Sequence, residues 1–211
     1  MIVPVFIFLQ YVFDCLVGSR TRADALREVR RRLVDMEGAS IVSPEESASA
    51  LRLRALREAL STRLGTVVAC TDCVRPRSSD WPGGHCCSGR TEELFTDDEL
   101  ASLKLAGTTS LHLRSPNFGH SGRTDHNTGC VFRGPEGCAL PPSHRPSLCV
   151  RYTCFDLQRE LDRRGDSEET NRLQAAIGRE FADFVKQRRA RRQEVSFEAL
   201  RASLCGRNWR K

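Results

Sequence analysis

Eight of the ten cysteines in this 211-residue chain lie between Cys70 and Cys154, with Cys15 and Cys205 as outliers. They run Cys70-x2-Cys73, then the pair Cys86-Cys87, then Cys130, Cys138, Cys149 and Cys154. Disulfides, a metal site and reactive thiol chemistry are the candidate explanations. A secreted disulfide scaffold is usually short and carries an export signal. This chain is long and rich in expected helix, so metal is the better reading. A Cys-x2-Cys turn folds two thiolates toward one ion. Four thiolates satisfy a tetrahedral zinc or the corners of an iron–sulfur cluster.

Geometry limits which sulfurs can share a site. Neighbours in an extended segment point to opposite faces, so Cys86 and Cys87 are awkward ligands for one ion. Cys149 and Cys154 sit on one expected helix from Pro146 to about Arg164. At about 100° per residue they would lie roughly 140° apart and converge only if that helix is broken. Gly134-Pro135-Glu136-Gly137 is a turn, which makes Cys130 and Cys138 the flanks of a short hairpin. Their facing depends on the parity of the loop. Arg145-Pro146 starts the following helix and puts Cys149 in its first turn, where open amides favour a thiolate. The expected metal ligands are Cys70, Cys73, Cys86, Cys87, Cys130, Cys138, Cys149 and Cys154, with Cys130, Cys138 and Cys149 the safest group. His85 is a mixed-site candidate. His112, His120, His126 and His144 have no ligand-like spacing.

The motif resembles the CxxCxxCC cysteine-cluster family, the YkgJ-like zinc- or iron-chelating domain. Gly129, Cys130, Phe132, Cys138, Arg145, Pro146 and Cys149 carry the likeness in the second half, and Cys70, Cys73, Cys86 and Cys87 in the first. It covers about residues 66–160. Twelve residues separate Cys73 from Cys86, where the family name implies two. The resemblance implies metal binding without one agreed reaction. A related cysteine domain in flagellin lysine N-methylases makes an enzyme an analogy only.

The elements that must position these cysteines are mostly helical. Thr21 and Asp24 make a capping box for a helix over about 21–37, and Ser43, Pro44 and Glu46 start a second. Leu53, Leu56, Leu60 and Leu64 form the apolar stripe of the second helix, which is expected to pair with the first as a hairpin. Thr96 and Glu99 box a short helix, and the acidic residues there read as helix-start electrostatics. A short strand is expected near Leu111–Leu113. A helix runs from Glu168 to about Arg192, and Ser196 caps a last short one. The fold class is thus mainly α: a small helical protein around a loop-rich, cysteine-ligated metal centre with a short β-hairpin. The expected division is an apolar segment at 1–18, a helical hairpin at 19–65, a cysteine-cluster domain at 66–165 and C-terminal helices at 166–211.

Composition narrows the partners. The net charge is +6, with 33 basic residues against 27 acidic ones, which does not by itself call for nucleic acid. The basic run 186–193 is expected to be a solvated helix end. Walker, GxGxxG, HExxH and nucleophile-elbow motifs are absent from the sequence. The apolar segment 1–18 lacks leading basic residues and a small-residue cleavage site, which argues against a signal peptide. Gln10 and Asp14 interrupt it, at the short limit for a membrane span. If it spans, the arginines from Arg20 to Arg32 hold the body in the cytoplasm. The expected location is cytoplasmic, free or anchored through 1–18. The expected function is metal binding in redox or metal handling, through an iron–sulfur cluster or zinc. The paired and scattered ligands favour the cluster over a zinc ribbon. The alternatives are a zinc-stapled interaction module and an enzyme using the cluster, such as a methylase or oxidoreductase.

Overall fold

The computed structural model describes residues 22–36, 42–64, 91–114, 130–134 and 137–205. Helix α1 spans Arg22–Asp35 and α2 spans Pro44–Leu64. The short α3 (Thr91–Leu94) leads into α4 (Asp97–Leu105). Two two-residue strands, β1 (Arg133–Gly134) and β2 (Gly137–Cys138), pair antiparallel with Arg133 opposite Cys138. A 3₁₀ turn at Pro142–His144 precedes α5 (Ser147–Arg151), α6 (Phe155–Arg164) and α7 (Ser167–Cys205). The described body is mainly helical, as the sequence predicts. Residues 1–21, which include the expected apolar segment and Thr21, lie outside the described residues. Among the described residues no helix is long and apolar enough to cross a membrane.

Local chemistry explains the helix starts. The Ser43 hydroxyl accepts the Glu46 amide at 3.1 Å, and the Thr96 hydroxyl accepts the Glu99 amide at 3.3 Å. These are N-cap bonds to otherwise orphaned amides. Neither box closes in the reverse direction. The Glu46 carboxylate instead meets Arg191, and that of Glu99 meets Ser147 and Arg57. Both glutamates are buried, so a long-range cation outcompetes the local amide.

Two apolar clusters hold the body together. Val29 and Leu33 of α1 pack with Phe95, Leu100, Leu103, Leu113, Cys130, Phe132 and Leu140. Ala50, Leu53 and Leu60 of α2 pack with Ala101, Val150, Ile177 and Phe184. So α1 lies chiefly on α3 and α4, while α2 lies chiefly on α7. The expected α1–α2 hairpin is not the main packing. The second cluster draws on segments of all three expected divisions, 19–65, 66–165 and 166–211.

Three expected elements differ. The helix after Pro146 is broken at Tyr152–Cys154, because Cys154 starts α6 as its N-cap. Ser196 lies inside the continuous 39-residue α7 rather than capping a new helix. Residues around Leu111–Leu113 form a turn closed by the His112 amide on the Thr109 carbonyl at 3.0 Å, so no strand forms there.

Candidate functional site

Cys130, Cys138 and Cys149 come from three different elements. Cys130 is buried at the start of the turn before β1. The next amide, Val131 N–H, donates to the Thr91 hydroxyl at 2.9 Å, which ties this turn to α3. Cys138 ends β2, half-buried. Its carbonyl and that of Leu140 accept the Arg145 guanidinium at 3.3 and 2.7 Å, so Arg145 clamps the connector that follows. Cys149 lies in the first turn of α5, half-buried. The two-residue loop of the ladder does not decide the facing of Cys130, because Cys130 sits outside the ladder.

Cys138 packs against the apolar cluster that holds Cys130, and the charges of both bear on Cys149. Burial pushes the Cys149 thiol well above its usual range, and the charges of Cys130, Cys138 and Glu99 push it further, against a pull from Arg145. The sequence predicts a thiolate favoured by open amides at this helix start. The structure corrects that. Glu99 Oε1 accepts the Ser147 amide at 2.9 Å and the carboxylate also takes the Leu148 amide. A carboxylate from α4 has filled the helix start, and its charge opposes the thiolate.

Cys154 stands at a helix start. Its sulfur accepts the Leu157 amide at 3.4 Å as the N-cap of α6. Cys70, Cys73, Cys86 and Cys87 lie outside the described residues, as do His85, His120 and His126. Among the described residues no group of three or more His, Cys, Asp or Glu side chains is arranged to hold a metal ion. The thiol donor set suits a soft or borderline metal chemically, but the described sulfurs alone do not complete a site.

A buried polar network lies under α5. Arg57 is fully buried, and its Nη2 donates to the Ser147 hydroxyl at 2.8 Å, to Glu99 Oε2 at 3.3 Å and to the Ser102 hydroxyl at 3.4 Å. Its Nε and Nη1 have no hydrogen-bond partner among the described residues. Burial lowers the Arg57 pKa, while the charges of Glu99 and Cys149 raise it. Burial raises the Glu99 pKa against the opposing effects of Arg57, Ser147 and Leu148. Sequence reasoning missed this network. The available signal was Arg57 on the α2 stripe, four residues after Leu53 and three before Leu60, where an apolar residue is expected.

The two described histidines stack instead of converging on an ion. The rings of His112 and His144 lie 4.2 Å apart between centroids, at 18°. The Thr108 hydroxyl bonds His144 Nδ1 at 2.9 Å. The basic run 186–193 is also partly structural. Arg188 binds Asp98 at 3.0 Å and Arg191 turns onto Glu46, in mid-helix rather than at a helix end. Comparison with known proteins finds no matching family model, no similar curated protein and no similar solved structure.

Proposed function

We propose that this chain is a metal-binding cysteine-cluster protein, holding an iron–sulfur cluster or zinc and acting in redox or metal handling. The observations that support this reading most are that Cys138 packs against the cluster holding Cys130, and that the charges of both bear on Cys149 in the first turn of α5. Chain connectivity adds support. The described chain re-enters at Thr91, whose hydroxyl is bonded beside Cys130. Cys87 precedes Thr91 by four residues, a span of about 14 Å at full extension. Cys70 and Cys73 would complete the set, and the resemblance to the cysteine-cluster family points the same way. An iron–sulfur cluster would supply electron transfer; zinc would supply a structural staple.

A second reading is a zinc-stapled interaction module. The exposed Leu148, Tyr152 and Phe155, clustered around Cys149 and Cys154 in sequence, favour it. Anaerobic purification with elemental analysis and a visible spectrum tests both. Iron with sulfide and a visible chromophore are expected. Colourless protein with stoichiometric zinc would move the conclusion to the staple. Metal-free protein with paired disulfides would sink both.

A further inference from the structure

The turn after α4 is fastened at both ends. Gly107 leaves α4 with a left-handed backbone, φ 90°, and the next residue, Thr108, is buried. At the far end Leu113 is fully buried in the cluster that α1 joins. Its carbonyl accepts Arg30 of α1 through Nε at 2.8 Å and Nη2 at 2.5 Å. Between these points two histidines hold the chain. His112 stacks on His144 of the 3₁₀ turn, and the Thr108 hydroxyl bonds His144 Nδ1.

The bonds fix where the protons sit. The Thr109 amide donates to His112 Nδ1 at 3.0 Å, and the His112 amide donates back to the Thr109 carbonyl at 3.0 Å. A backbone amide only donates, so Nδ1 of His112 is bare and its single proton is on Nε2. A second proton enters at Nδ1, turns that acceptor into a donor and breaks the bond to Thr109. It also sets a cation against the buried His144 ring, one ring-stack away. His112 is exposed, so the proton comes directly from water. Imidazole is the side chain that titrates in this range.

The surrounding charges do not relieve the stack. Burial opposes a proton on His144 most, and His112, with Arg54 and Arg57 of α2, opposes it further. Glu58 of α2 favours one, but Arg54 engages its carboxylate at 2.9 Å. On the turn itself Arg114 is one more cation, folded onto the Leu111 carbonyl at 3.0 Å.

We infer that His112 and His144 form an acid-released latch, which pins the 108–114 turn to the 3₁₀ turn while both rings are neutral and frees it when His112 takes up a proton. The release is local. Lys104 on the Leu33 carbonyl at 2.9 Å and Arg32 on Asp97 at 2.6 Å keep α1 tied to α4. What comes free is the turn, with Leu113 and its hold on Arg30. The latch is independent of the cysteine-centre reading, since none of its bonds involves a cysteine.

The test uses the full chain at pH 7.5 and 5.5. Amide hydrogen exchange, corrected for the intrinsic effect of pH, reads local opening. Protection of the His112 and Arg114 amides should fall by roughly tenfold or more in acid, while amides of α2 keep theirs. His112→Asn keeps an acceptor near the place of Nδ1 and does not titrate. The variant should hold the turn closed at both pH values, although His144 still titrates in it. His144→Asn removes the second charge and should shrink the fall. Nitrogen NMR of the His112 ring should show Nε2 protonated at pH 7.5. A proton on Nδ1 at that pH, or an equal fall in His112→Asn, overturns the latch. So does a fall shared by α2, which is global unfolding.

Discussion

Glu99 Oε1 accepts the backbone amide of Ser147 at 2.9 Å, across 48 residues of sequence. The bond joins α4 to the start of α5 and sets where Cys149 stands. Glu99 also neutralises part of the Arg57 charge. Glu99→Ala removes the cap and leaves a buried guanidinium uncompensated, so a loss of about 3–5 kcal/mol is expected. Glu99→Gln keeps an acceptor for Ser147 and should cost less. Urea denaturation of the two variants checks the order. Equal losses would show that the charge, and not the cap, dominates.

His144 should make stability pH-dependent. Burial lowers its pKa from the usual 6.5, helped by the nearby charges of His112, Arg54 and Arg57 against that of Glu58. The unfolded chain therefore takes up the proton at higher pH than the folded one. The contribution of His144 is complete above about 6.5 and is lost as the pH falls through that value toward the depressed folded pKa. His144→Asn can keep a bond to Thr108 but does not titrate. The urea midpoint of the natural chain should fall between pH 7.5 and 5.5 by more than that of the variant. Parallel curves would remove His144 as the cause.

Gly178 faces Arg151, and a Cβ added there would meet Arg151 Cζ at 2.8 Å. The obstacle is the far end of an exposed, flexible side chain, which can swing away. Alanine gains about 0.8–1.0 kcal/mol over glycine in a helix interior. The propensity gain should win, and Gly178→Ala should raise the melting temperature. A lower value would mean that the Arg151 guanidinium is held in place by the fold.

Phe132 is fully buried and sits 5.5 Å from Phe95 between ring centroids, tilted by 53°. It anchors the turn between Cys130 and β1 to the α3–α4 corner. Phe132→Ala should cost about 3–5 kcal/mol, read as a lower denaturant midpoint. The same variant should also lose metal, because it loosens the turn that carries Cys130. Retained metal at reduced stability would separate the turn from the site.

The cysteines should differ in their effect on metal content. Cys149→Ser is expected to abolish stoichiometric metal, whereas Cys205→Ser, on the outlying end of α7, should leave it intact. Cys154→Ser should retain metal, since serine can replace the sulfur as the α6 cap. Metal loss in Cys154→Ser would return that sulfur to the ligand set.

Much of the helical framework was legible from local signals. Ser43 and Thr96 are N-caps because a hydroxyl before a helix start satisfies an orphan amide, and that needs only neighbours in sequence. Gly165 ends α6 with a left-handed backbone, φ 71°, which glycine adopts without strain. The break before Cys154 was less legible, because a cysteine sulfur is an uncommon cap and Pro146 signals only the start.

Local sequence settles which helix faces are apolar and where α2 and α4 begin. Those follow from periodicity, residue chemistry and short-range geometry. Only the tertiary structure decided that Glu99 and Glu46 leave their own helix starts for Ser147 and Arg191, and that Arg57 lies buried under α5. Periodicity shows that a face is buried, not what covers it. A charged group removed from water binds the partner that packing supplies, and here those partners lie tens of residues away.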